Sequence, residues 1–198
     1  MIIELDGITK RYGDRTVLEN FSYSFKDKGL YLLSGPSGIG KTTLLRIICG
    51  LDKNYDGAVL THKPLRFSFC FQEYRLFPHL TAFQNIISLS YNKPNGDDIE
   101  ATKSILKKLS FTDEEMQLYP KSLSGGMKQR ISFARAILND ADVLLLDEPT
   151  KEVDDEIAKT MHEIIENESK KRLVIMVTHK SDDYLSLSAD VIMIGAQV

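Results

Sequence analysis

The chain has 198 residues, 42% hydrophobic and 27% charged, with a formal net charge of −3. That balance supports a buried core in one compact unit and excludes a disordered chain of low hydrophobicity. Basic and acidic residues are mixed along the chain, so no basic stripe marks a nucleic-acid partner, and that class is excluded as well.

The start, MIIELDGITK, lacks the basic and apolar segments of a signal peptide, and no apolar run approaches the roughly 20 residues that span a bilayer. A soluble, intracellular chain is therefore expected. In ENFSYSFKDKG, Phe21, Tyr23 and Phe25 alternate with polar residues, the period of a half-buried strand, so the first thirty residues are expected to be antiparallel β. From Leu30 the pattern changes to short continuous apolar runs: LYLLSG, FSFCF, DVLLLDEP, RLVIMVTH and DVIMIG. Such runs suit parallel strands covered on both faces, and most are separated by helical segments.

KTTLLRIICG reads as a helix closed by Gly50 at the position after its cap. Cys49 and Cys70 lie in apolar surroundings, without CxxC spacing or neighbouring histidines, and are expected to be reduced core residues. Between Thr81 and Leu118 no strand pattern appears. Met127, Ile131, Ala134 and Leu138 then form one apolar stripe on a helix, and Val153, Ile157, Met161, Ile164 and Ile165 a second. The expectation is a single domain in which residues 1–80 and 141–198 build an α/β core and residues 81–140 an inserted helical lobe.

Three stretches carry chemistry. GPSGIGKT, residues 35–42, matches GxxxxGK[ST] between a predicted strand and a predicted helix, the context a phosphate-binding P-loop requires. Gly35, Gly38 and Gly40 let backbone N–H groups converge on phosphate oxygens at a helix N-terminus. Pro36, Ser37, Ile39 and Thr43 complete the loop and its exit. Lys41 supplies a point charge to the β and γ phosphates, and the Thr42 hydroxyl can ligate Mg²⁺. In DVLLLDEPT, Asp147 is a candidate metal carboxylate at a strand end, and Glu148 a candidate base for an attacking water. Pro149 is expected to hold Glu148 in an extended conformation. The third stretch, KSLSGGMKQR, sets Ser124, Gly125 and Gly126 at a helix start. That is either an ordinary serine cap or a second anion site.

In this order, GPSGIGKTT, FCFQE, LSGGMKQR, VLLLDEPT and VTH resemble the nucleotide-binding subunit of an ATP-binding cassette (ABC) transporter over nearly the whole chain. The resemblance implies a P-loop NTPase core of α/β class, with an amino-terminal antiparallel β subdomain and an inserted helical subdomain. It implies ATP and Mg²⁺, with Tyr12 stacked on adenine, Gln72 reaching the metal beside Thr42 and Asp147, and His179 touching the γ phosphate. It also implies a head-to-tail dimer, expected to be a homodimer, in which Ser124, Gly125 and Gly126 of one chain close over the γ phosphate held by the other. The implied work is ATP hydrolysis driving a separate transmembrane permease subunit, from a peripheral position on the inner face of the cell membrane. A non-transporting regulatory ATPase, clamping a membrane partner under ATP control, shares the same motifs.

The loop QEYRLFPHL carries Tyr74, Leu76, Phe77 and Leu80 and is the expected docking surface for that partner. His62, His79 and His162 match nothing in the family pattern and are expected on the surface. Met127 replaces the usual glutamine after LSGG. After the carboxylate pair the family usually has small residues, then leucine and aspartate; here Lys151 and Glu152, a bulky charged pair, precede Val153 and Asp154, and Asp154 fits the aspartate of that loop. No carboxy-terminal regulatory domain is expected beyond DVIMIG.

Overall fold

The computed structural model of the chain describes residues 1–88, 95–178 and 187–195. A three-stranded antiparallel sheet has the order β2 (Arg15–Phe25), β1 (Ile3–Tyr12), β4 (Asp56–Thr61). A five-stranded parallel sheet has the order β5 (Phe67–Cys70), β6 (Val143–Asp147), β7 (Leu173–Val177), β3 (Gly29–Ser34), β8 (Asp190–Met193). The α/β class expected from the apolar runs is the one observed. The strand β4 has no signal of its own in the sequence. DGAVLT has neither alternation nor a long apolar run, and it becomes a strand by pairing with β1.

The parallel strands divide their side chains between two cores, as a period of two requires. Leu30, Leu32, Leu144, Leu146, Val174 and Met176 join one cluster with helices α4 (Gly125–Leu138) and α5 (Asp155–Ser169). Tyr31, Leu33, Val143, Leu145, Ile175 and Val177 join the other, with helix α1 (Lys41–Ile48) and the inner face of the antiparallel sheet. All five residues of β6 and of β7 are buried, which explains why these strands read as unbroken apolar runs. Helix α1 ends as expected: Gly50 N–H donates to Ile47 O and Leu51 N–H to Arg46 O, the Schellman pattern.

Helices α2 (Ala82–Ile87), α3 (Gly96–Lys108) and α4, which follow β5 and precede β6 in the chain, pack against one another. Thr81 and Asn95 begin the first two of these with reciprocal capping boxes. Cys70 is fully buried, whereas Cys49 is only half-buried against the second core, a partial correction of its expected place. His162 is also corrected. It is 9% exposed, because it follows Met161 on the face of α5 turned to the sheet, while His62 and His79 are exposed as expected.

A β-bulge in β1 redirects the residues beyond it. The pairing with β2 shifts register between Leu5 and Ile8, around Gly7 at φ 60. The buried parity therefore changes from Ile3 and Leu5 to Ile8 and Lys10, and it carries Tyr12 to the same side.

The loop after β5 is tied down from the helical side. Asn85, completely buried, accepts from Phe77 N–H at 2.7 Å and donates to the carbonyls of Phe77, Leu80 and Thr81 at 3.0 to 3.1 Å. Arg135 donates to Arg75 O at 2.8 Å and Tyr74 O at 3.0 Å. Asn85→Leu strands several of these backbone groups, and a loss on the order of 3 kcal/mol is expected. Urea denaturation of the variant checks this, and a midpoint equal to that of the unaltered chain would refute it.

Candidate functional site

The expected phosphate loop closes a cavity of about 360 Å³ at the carboxyl ends of the parallel strands, where ligands of open α/β sheets bind. From the loop and α1, Ser37, Gly38, Gly40, Lys41, Thr42 and Thr43 line it. Tyr12, Arg15 and Val17 come from the β1–β2 hairpin, Gln72 from the exit of β5, Glu148 from the exit of β6 and Val177 from the end of β7. Gly35, Pro36 and Ile39 belong to the loop without lining the cavity. The carbonyls of Gly35 and Pro36 accept from the Lys41 ammonium at 2.7 and 2.9 Å, and Ile39 packs on the core.

The loop needs its glycines for two reasons. Gly40 has φ 107, and a Cβ there would stand 2.7 Å from Val17 O. Left-handed backbone and the close approach of β2 both exclude a side chain. Lys41, 4% exposed, is drawn below its ordinary pKa by burial, against the opposing charges of Glu148 and Asp147. The Thr42 hydroxyl donates to Asp147 Oδ1 at 3.1 Å. A hydroxyl and a carboxylate in contact are the oxygen donors a hard cation takes, and Gln72 lines the same cavity. These residues fit a phosphate chain with Mg²⁺.

Glu148 departs from expectation. Its φ is 51, left-handed and not extended. Its N–H donates to Val177 O at 2.9 Å, and its carbonyl accepts from Lys151 N–H at 3.3 Å and from Gln129 Nε2 at 3.4 Å. This set of bonds outweighs the preference set by Pro149. The turn brings the Glu148 carboxylate into the cavity, 3.0 Å from Lys151 Nζ.

Ser124, Gly125 and Gly126 are not part of this cavity's lining. Ser124 is the N-cap of α4, accepting from Met127 N–H at 3.2 Å, and it is exposed. The two glycines face the loop that departs from the family pattern. A Cβ on Gly126 would meet Glu152 O at 2.5 Å, and one on Gly125 would collide with the Glu152 carboxylate. That carboxylate accepts the Tyr74 hydroxyl, and burial together with the bond to Glu152 pushes the Tyr74 phenol up to about 12. Met127 packs half-buried against the first core, so its apolar side chain has a place inside the chain. Asp154 caps α5, accepting from Ile157 N–H at 3.0 Å. His179 lies outside the described residues.

Arg15 was missed by sequence reading. Residues Gly13 and Asp14 make a two-residue hairpin loop, with Gly13 at φ 57, and Tyr12 pairs with Arg15 across it. The guanidinium lines the cavity and donates to Gly38 O at 3.1 Å. The DRT context alone gave no sign of this. Only the hairpin register sets Arg15 beside the loop.

Beside the Gln72 loop lies a second, apolar cavity of about 410 Å³, bordered by Phe67, Phe69, Phe71, Phe77 and Arg135 among others. Phe69 and Phe71 stack at 4.0 Å between centroids, with the Arg75 guanidinium 3.8 Å over Phe71. Of the four apolar residues expected to dock a partner, Leu76 instead packs on the core and Tyr74 is bonded to Glu152. Leu80 is half-buried, and Phe77 is 42% exposed.

The chain has relatives of known kind along almost its full length. A family model described as ABC transporter matches residues 18–151. The chain is 37% identical to the aliphatic sulfonates import ATP-binding protein SsuB of Bacillus cereus, an alignment covering 100% of this chain and 82% of that protein. It is 37% identical to the spermidine/putrescine import ATP-binding protein PotA of Pasteurella multocida, over 98% of this chain and 55% of that protein. A dimeric, post-hydrolysis structure of the ATP-binding cassette MJ0796 bound to ADP and Pi superposes with a TM-score of 0.84 at 26% identity, covering 98% of this chain and 94% of that one.

Proposed function

Because this chain belongs to the ABC transporter family, we propose that it is the ATP-hydrolysing subunit of an import system, working as a head-to-tail dimer beneath a separate transmembrane permease. The observation that carries the reading is the convergence of Lys41, Thr42, Gln72 and Glu148 on one cavity, with Asp147 buried behind it and bonded to Thr42. The import direction follows the names of the relatives SsuB and PotA. Among the described residues no helix is long and apolar enough to cross a membrane, which agrees with a peripheral subunit on the inner face.

In this reading the amides of residues 35–43 and the Lys41 ammonium bind the phosphates, and the Tyr12 ring carries the adenine. Thr42, Asp147 and Gln72 would hold Mg²⁺, which when bound would neutralise negative charge on the phosphates. The Glu148 carboxylate orients a water and takes its proton. That requires the Lys151 ammonium to release or share the carboxylate when the site closes. His179 completes the γ-phosphate contacts. Ser124, Gly125 and Gly126 act on the partner's nucleotide, since they stand outside their own chain's cavity. We also propose residues 81–140 as the helical lobe that connects this corner to the membrane side.

The apolar cavity beside the Gln72 loop is the proposed permease contact. Phe77 is the suitable probe, because changes at Leu76 or Tyr74 would also disturb the core or the bond to Glu152. Phe77→Asp is expected to abolish co-purification with the membrane subunits while the ATPase rate of the isolated chain stays unchanged. Retained co-purification would sink the docking assignment.

A further inference from the structure

We propose that Lys10 and Asp52 are positioning residues for the nucleotide base, locking the Tyr12 ring in place at the edge of the cavity. The inference rests on the proposed role of Tyr12 and adds two residues outside the motifs. The bulge at Gly7 turns Lys10 inward, where it is 3% exposed, a rare place for an ammonium. Its charge is met by Asp52 Oδ1 at 2.9 Å and by the Asn54 carbonyl. The other Asp52 oxygen accepts the Tyr12 hydroxyl at 3.3 Å. Lys10 Nζ also lies 4.8 Å from the centroid of the Tyr12 ring. The ring is thus fixed at its hydroxyl by Asp52 and at its face by the lysine, while half of it stays exposed beside the phosphate loop.

Asp52 is itself rigidly held. Its N–H donates to Arg46 O at 3.1 Å in the cap of α1, and its carboxylate accepts the Asn54 N–H at 3.0 Å. Burial alone would raise its carboxyl, but the bonds from Lys10 and Asn54 carry it below the ordinary value, so the carboxylate is ionised when Lys10 needs it. The helix that begins at the phosphates therefore ends at the residue that fixes the ring. A cation on one aromatic face and a ring pinned by its hydroxyl reduce the ordering that base stacking would otherwise require.

The test measures the binding of ADP, which carries the base, and of inorganic pyrophosphate, which does not. Asp52→Asn and Lys10→Met are expected to raise the Kd for ADP by about threefold to tenfold, with pyrophosphate unchanged. Equal weakening of both ligands would mean general damage to the loop and would overturn the inference. Tyr12→Ala separates the role of the ring from the role of its supports. If it leaves ADP binding intact, the adenine role of Tyr12 fails and the inference with it. If Tyr12→Ala weakens ADP binding but the Asp52 and Lys10 variants bind like the unaltered chain, only the positioning role fails. Should either variant fold poorly, Tyr12→Phe removes just the hydroxyl bond, and an unchanged Kd for ADP would count against Asp52.

Discussion

Glu148→Gln is expected to lower the ATPase rate by about 10²- to 10⁴-fold, the range for loss of a general base, while ATP stays bound and the dimer persists. Glutamine keeps the size and the left-handed turn, whose bonds are made by the backbone of residue 148 to Val177, Lys151 and Gln129. What disappears is the acceptor for the proton of the attacking water, together with the ion pair to Lys151. Single-turnover hydrolysis and size-exclusion chromatography in ATP read the two effects separately. Equal turnover in the variant and the unaltered chain would remove Glu148 from the chemistry.

Ser124→Ala is expected to slow hydrolysis by about 2.7 to 4 kcal/mol of barrier, the cost of one preorganised donor. Its fold should survive, since loss of a serine cap costs about 1 kcal/mol. The stronger result comes from mixing. Chains carrying Ser124→Ala and chains carrying Lys41→Ala are each expected to be nearly inactive, and the mixture should recover a rate well above either. A mixed dimer holds one site with an intact lysine facing an intact serine, which neither parent dimer has. If each chain completed its own site, mixing would restore nothing. The geometry favours exchange, because Ser124, Gly125 and Gly126 contribute nothing to the cavity that holds Lys41.

A glycine-rich loop between a strand and a helix, a carboxylate pair ending an apolar strand and a serine cap before two glycines are local patterns. Their physics, dipoles and backbone freedom, acts within a few residues, so Lys41, Thr42, Asp147 and Ser124 could be named from spacing. The inner parallel strands β3, β6 and β7 were legible for the same reason, since burial on both faces leaves an unbroken apolar run, whereas β8 at the edge reads as an apolar run although Val191 and Met193 are exposed. β4 was not legible, because its stability comes from hydrogen bonds to β1, more than forty positions away in sequence. The extended conformation expected for Glu148 failed because it weighed one neighbour, Pro149, against bonds from distant strands and helices. His162 failed in a similar way, read as a lone polar residue although Ala158 and Ile165 on its side of the helix are buried with it.

The class of fold and the places of the glycine-rich loop and the carboxylate pair could be read along the chain, because local backbone geometry and apolar periodicity encode them directly. Only the tertiary structure decided what surrounds those groups. It set Arg15 beside the loop by hairpin register, wedged Glu152 against Gly125 and Gly126, and turned Lys10 beneath Tyr12 through the irregular pairing of β1 with β2 that begins at Gly7. Each of these depends on which strand faces which and in what register, a long-range outcome of packing that no local pattern in the chain carries.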